Sequence, residues 1–240
     1  MRNMAIDVAY LIETLREDLG DPELPGDGST PDEDSLWSNA ELLRYVDEAQ
    51  NEFCQRINAL PDSTRFASVV TADDPWVKVD ERVTLIRKGR LETLKTDLIP
   101  VTLKEIEAGV HANDYGKFTT SSDWEDRVGP PQYVVTDLEA GKGRLVPTPV
   151  ADDVISWSVY RMPKTALIDG GCLEIENKFR RGLLLYAKAK AYSKHDTEAR
   201  ADTRARGFED KWEDFIDRSD LDHKRKRRRA QSMPTGGGYF

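Results

Sequence analysis

The chain has 240 residues, enough for one large domain or two small ones. A third of its residues are charged, its hydrophobic content is a modest 38%, and it carries a formal net charge of −9. Its apolar residues nevertheless recur with helical and strand periods, which excludes a chain that is disordered throughout. No unbroken apolar run exceeds the length of Leu183–Ala187, so no membrane span is expected, and the charged N-terminal stretch does not read as a secretory signal. The two cysteines, Cys54 and Cys172, are far apart and lack CxxC or Cys/His spacing, which argues against a disulfide framework or a zinc site.

Residues from about Asn3 to Leu19 place Met4, Val8, Leu11, Ile12, Leu15 and Leu19 on one face of a first amphipathic helix, which Gly20 and Pro22 stop. Asp21 to Ser35 is acidic and rich in proline and glycine, and reads as a solvated loop; it lacks the alternating ligands of a calcium loop. The strongest signal follows, from Ser38 to Ala59. Ser38 and Glu41 form a capping box, and Trp37 and Leu42 occupy the flanking staple positions. Leu42, Tyr45, Val46, Ala49, Phe53 and Ile57 then make one apolar stripe, with Cys54 close to it as a small hydrophobe.

Past Pro61 and Asp62 the period changes to two. Val77 and Val79, then Val83 and Leu85, alternate with polar residues, and Lys88-Gly89 is placed in a hairpin turn. TLKEIEAG predicts a short helix, with Thr102 as cap and Gly109 as stop. The polar stretch His111 to Val128 carries Tyr115, Phe118 and Trp124, aromatics expected to pin a loop to the body. A strand is expected over Gln132 to Leu138, turned by Glu139 to Gly143 onto Arg144 to Val146, with Pro147 and Pro149 at a strand end or sheet edge. Asp153 to Arg161 predicts a strand with Ile155, Trp157 and Val159 on one side.

From Leu173 to about Tyr192, residues Ile175, Phe179, Leu183, Leu184, Tyr186, Ala187 and Ala191 make a second helical stripe, and Phe208, Trp212, Phe215 and Ile216 a third. The last helix is expected to fray after Trp212 to Ile216, leaving a flexible tail. The expected fold class is α+β: a helical bundle formed by N- and C-terminal helices (residues 1–62 and 164–220), an inserted, mainly antiparallel β module (63–163) and a basic, glycine-containing tail (221–240).

Searching for chemistry returns little. There is no nucleophile elbow, phosphate-binding loop, HExxH or kinase signature; Gly141 and Gly143 belong to a hairpin turn; and His111, His195 and His223 have no evident catalytic partner. No enzyme activity, metal or cofactor is expected. The sharp feature is the run Lys224, Arg225, Lys226, Arg227, Arg228 and Arg229, beside which the rest of the chain sums to −15. Six adjacent cations suit phosphate contacts, an acidic protein partner or a solvated tail. Gly236 to Gly238 tether Tyr239 and Phe240 flexibly.

Three segments together, ELLRYVDEAQNEFCQR, GPPQYVVTD with GRLVPTPVADDVISWSVYRMP, and LLLYAKAKAYSKHDTEARADTRARGFEDKWEDFI, resemble the head-to-tail adaptor (head completion, or connector) proteins of tailed bacteriophages, in particular the podovirus type. The likeness spans about residues 38–217 as an order of segments. It implies a structural virion protein of the neck, made in the host cytoplasm. Copies of it, usually twelve, would form a ring under the portal protein, receive a tail or nozzle protein below and let DNA pass non-specifically through the lumen. It also implies portal docking by the C-terminal segment, here Met233, Pro234, Tyr239 and Phe240. The acidic loop at 20–35 and the basic run have no place in that resemblance. The alternative reading is a nucleic-acid-binding accessory protein acting through Lys224 to Arg229.

Overall fold

The computed structural model describes the backbone of residues 6–21, 36–108, 124–194 and 199–231, and their side chains except at 6, 199–200 and 226–231. In chain order the elements are β1 (Ile6–Asp7), α1 (Val8–Leu19), α2 (Asn39–Ile57), β2 (Leu60–Val70), β3 (Trp76–Lys78), β4 (Val83–Leu91) and β5 (Asp97–Val101). There follow α3 (Leu103–Glu107), β6 (Tyr133–Val135), β7 (Lys142–Val146), β8 (Asp153–Arg161), β9 (Cys172–Leu173), a 3-10 turn at Asn177–Phe179, α4 (Arg180–Lys194) and α5 (Ala199–Gln231). The fold is α+β, and it divides into two compact units: Met1–Ala59 with Pro163–Phe240, and Leu60–Met162.

The first unit is organised on α2. Both bonds of the capping box form, Ser38 N donating to Glu41 at 3.1 Å and Glu41 N to Ser38 Oγ at 3.2 Å. The staple residues Trp37 and Leu42 are buried, and the Trp37 indole donates to the Ala191 carbonyl at 3.1 Å. Every member of the predicted stripe is buried. At its centre Phe53 lies 4.6 Å from the ring of Phe179 in the 3-10 turn, 5.8 Å from Phe215 and 6.1 Å from Trp212, so α2 is clasped by that turn and by α5. Tyr192 stacks on Phe208 and Tyr186 meets Trp212, a descending against an ascending number, so α4 and α5 run antiparallel.

Gly182 is where they come closest. A Cβ there would fall 2.0 Å from Cε1 of Phe215, whose ring is confined by Phe53 and Trp212. Gly207, within α5, has nothing within 4 Å of such a Cβ. Alanine favours a helix over glycine by about 1 kcal/mol, so Gly207→Ala raises stability by roughly that amount, whereas Gly182→Ala lowers it by about 1–3 kcal/mol through overpacking. Thermal melts of the two variants side by side check the opposite signs.

Several boundaries differ from the sequence expectation in this unit. The first helix starts at Val8 rather than near Asn3, because Asp7 caps it by accepting from Ala9 N at 3.0 Å, and Ile6–Asp7 pair instead with Leu173 and Cys172. Met4 lies outside the described residues. Leu173 and Ile175 are buried but precede the helix, which starts at Arg180 after the 3-10 turn. Asp21, placed by sequence in a solvated loop, is buried against Arg16 at 3.1 Å. The last helix does not end near Ile216 but runs to Gln231, so the whole basic run is helical rather than part of a flexible tail.

In the second unit the seven strands run β2-β8-β4-β5-β6-β7-β3, antiparallel throughout except for the parallel β5–β6 pair. The sheet curls: Ser68 on β2 donates to the Lys78 carbonyl on β3, joining the two outer strands, and receives the Trp157 indole N–H at 2.7 Å. Ile155, Trp157 and Val159 are buried on one side of β8 as expected, packed with Phe66, Leu91, Leu98 and Leu145. Strand β2 had no sequence forecast. Lys88-Gly89 is not a turn but the interior of β4, and the turn lies at 92–96. Gly89 is glycine for another reason: a Cβ there would sit 2.7 Å from the Trp157 ring. Thr102 caps α3 with a full capping box; Gly109, Tyr115 and Phe118 lie outside the described residues. Trp124 is 2% exposed and packs with Val101, Ile106, Val135 and Val146, holding its end of the loop to the sheet.

Candidate interaction surfaces

The predicted basic site sits on the last two turns of α5. Six consecutive helical positions step round the whole circumference in about 9 Å of axis, so the run forms a collar rather than a stripe. Lys224 and Arg225 are exposed, and each leans on its own helix: Lys224 lies 2.5 Å from Asp220 and Arg225 3.6 Å from Asp222. Cations at a helix C-terminus also oppose its partial negative charge. These two are therefore partly neutralised within α5; the side chains of Lys226, Arg227, Arg228 and Arg229 are outside the described set, as are Met233, Pro234, Tyr239 and Phe240. His223 packs 6.1 Å from Phe179, anchoring α5 just before the collar. His111 and His195 lie outside the described residues.

A surface that sequence reading missed is a groove of about 840 Å³ in the first unit, walled by α1, the first turn of α2 and Asp169. Tyr10, Glu13 and Glu17 line it from one face of α1, with Asn39, Ala40 and Leu43 opposite. Arg16 is its sole cationic lining residue, and its guanidinium is engaged inward, donating to Asn39 Oδ1 at 2.8 Å, the Trp37 carbonyl at 2.8 Å and Asp21 Oδ2 at 3.1 Å. No periodicity announces such a groove, because it depends on how α1 leans on α2. Gln50 was missed too: inside the apolar stripe, it accepts from Glu174 N at 3.0 Å and so ties the segment before α4 to α2.

The perturbed ionisable groups hold the fold together rather than form a reactive centre. Among the described residues there is no cluster of three or more metal-ligating side chains. Burial pushes the Asp153 carboxyl up, but the amides of Thr93, Val154 and Leu94, at 2.8, 2.7 and 3.1 Å, outweigh it and hold the group below its ordinary value. Asp62 follows the same balance, with burial opposed by the Thr64 amide and Arg161. Asp80 is lowered to about 2, chiefly by Arg82. A carboxyl whose pKa is lower in the folded than in the unfolded chain contributes its stability in full above the unfolded value, and loses it as pH falls through the folded one. The urea midpoint is thus expected to fall between roughly pH 4 and pH 2, and Asp153→Asn, measured at several pH values, flattens that fall.

A family model, that of the SU10 adaptor protein, matches residues 6–236. The chain belongs to that family. Its match reaches from β1 through the whole of α5, so the earlier resemblance to phage head-to-tail adaptors holds for nearly the entire chain. No curated protein matches it. As a phage adaptor it is a structural protein of the virion neck that meets portal and tail components. No described helix of the adaptor is long and apolar enough to cross a membrane.

Proposed function

We propose that this adaptor assembles as a ring, of about twelve copies as the resemblance implies, beneath the portal, continues the DNA channel and receives the tail or nozzle below. The observation that carries this reading is the family match running from residue 6 to 236. Supporting it is α5, which continues two turns beyond its anchor at His223; in this reading the sequence that follows it, with Met233, Pro234, Tyr239 and Phe240, docks on the portal. The net charge of −9 suits a lumen through which DNA slides, since like charge opposes adhesion.

Removing residues 230–240 is expected to abolish co-sedimentation with purified portal rings while leaving the melting temperature of the free subunit within about 2 °C, because the deletion spares Trp212, Phe215 and Ile216, which pack α5 onto the unit. Undiminished portal binding would remove the docking role. The alternative, a DNA-binding accessory protein acting through the basic run, predicts duplex-DNA affinity that falls steeply with salt and vanishes when Lys224 to Arg229 are neutralised.

A further inference from the structure

Ring formation needs one patch on each copy to fit a different patch on the next, and two unlike patches of this chain are opposite in charge. The groove carries the carboxylates of Asp7, Glu13, Glu17 and Asp169 around an apolar lining of Ala40, Leu43 and the half-exposed ring of Tyr10. Glu13 and Glu17 are one turn apart on the same face of α1, both exposed, and Arg16 between them is turned inward to Asp21. The positive end of α2 is already occupied by Glu41 of its capping box. Arg180 of the same copy lies 4.7 Å over the Tyr10 ring.

Against this stands the α5 collar. Positions 225, 228 and 229 share one face of the helix by spacing, about 6 Å of rise that corresponds to the single turn between Glu13 and Glu17. A continuous helix cannot double back on itself, and none of the groove's described walls comes from α5.

We propose that the groove between α1 and α2 receives the basic end of α5 from a neighbouring copy, and that this head-to-tail contact closes the ring. This rests on the ring reading above and names the contact that builds it. Cationic side chains in an acidic, partly apolar slot give a contact that is steered by charge and weakened by salt.

The test uses the full chain with portal rings and mass photometry. Two exposed-surface variants are made: Glu13→Arg/Glu17→Arg, and Arg225→Glu/Arg228→Glu/Arg229→Glu. Each alone is expected to lower assembly at least about tenfold, as like charges then face each other. An equimolar mixture of the two restores it, because each reversed groove meets a reversed helix end in trans. Circular dichroism confirms that both variants fold. Assembly by either variant alone at the wild-type level, or failure of the mixture to restore it, overturns the proposal; the second result is what a contact within one copy or with DNA would give. Wild-type chains that never assemble on portal rings would instead sink the ring reading itself.

Discussion

Phe53→Ala is expected to cost the first unit about 3–5 kcal/mol, the range for removing a large buried aromatic ring. Phe53 is fully buried and sits among Phe179, Phe215 and Trp212, each contributed by a segment more than a hundred residues away in the chain. Truncation leaves a cavity that three rings on two other elements border, and rings held by their own helices close only part of it. Phe53→Leu, which keeps most of the volume, is expected to cost closer to about 1.5 kcal/mol. Chemical denaturation followed by far-UV circular dichroism measures both; a loss under 1 kcal/mol for the alanine variant would mean that α2 is not what α4 and α5 pack around.

Arg16→Met is the second large effect, at about 3–5 kcal/mol, because it leaves a buried carboxylate without its cation. Arg16 is 4% and Asp21 8% exposed. The guanidinium also holds Asn39 and the Trp37 carbonyl, so it fastens α1 to the start of α2 from below the groove. Removing both charges, as Arg16→Met with Asp21→Leu, recovers part of the loss, since the isolated charge is gone. Recovery is incomplete because Asp21 also accepts from the amides of Leu36 and Trp37, both at 3.3 Å. The same denaturation series, with Asp21→Leu alone added, reads the coupling; losses that simply add in the double variant would show that the pair contributes nothing beyond packing.

Strong local signals were legible and weak ones were not. The capping box at Ser38 and the stripe from Leu42 to Ile57 predicted α2 almost to the residue, since both bonds of the box lie within one turn. The second strand of the unit 60–162 shows the opposite case. In LPDSTRFASVV only Phe66, Ser68 and Val70 alternate inward, Pro61 and Asp62 look like turn residues, and the strand forms because β8 lies beside it from Leu60 to Val70. Lys88-Gly89 resembles a turn for a similar reason: glycine's usual meaning is conformational, whereas here it makes room for Trp157. The basic run was visible at once, but not that it is helical or that Lys224 and Arg225 face Asp220 and Asp222 about one turn earlier.

By itself the sequence determined the α+β class, the helical clasp between the two chain ends, the caps of α2 and α3 and the strand from Asp153 to Arg161, all of which depend on periodicity or on bonds a few residues long. Tertiary structure alone decided the curl of the sheet through Ser68 and Lys78, the burial of Asp21 against Arg16 and the groove along Glu13 and Glu17. Those features depend on how whole elements lean on one another, so even where the residues are near in sequence, as Arg16 and Asp21 are, no local pattern along the chain announces them.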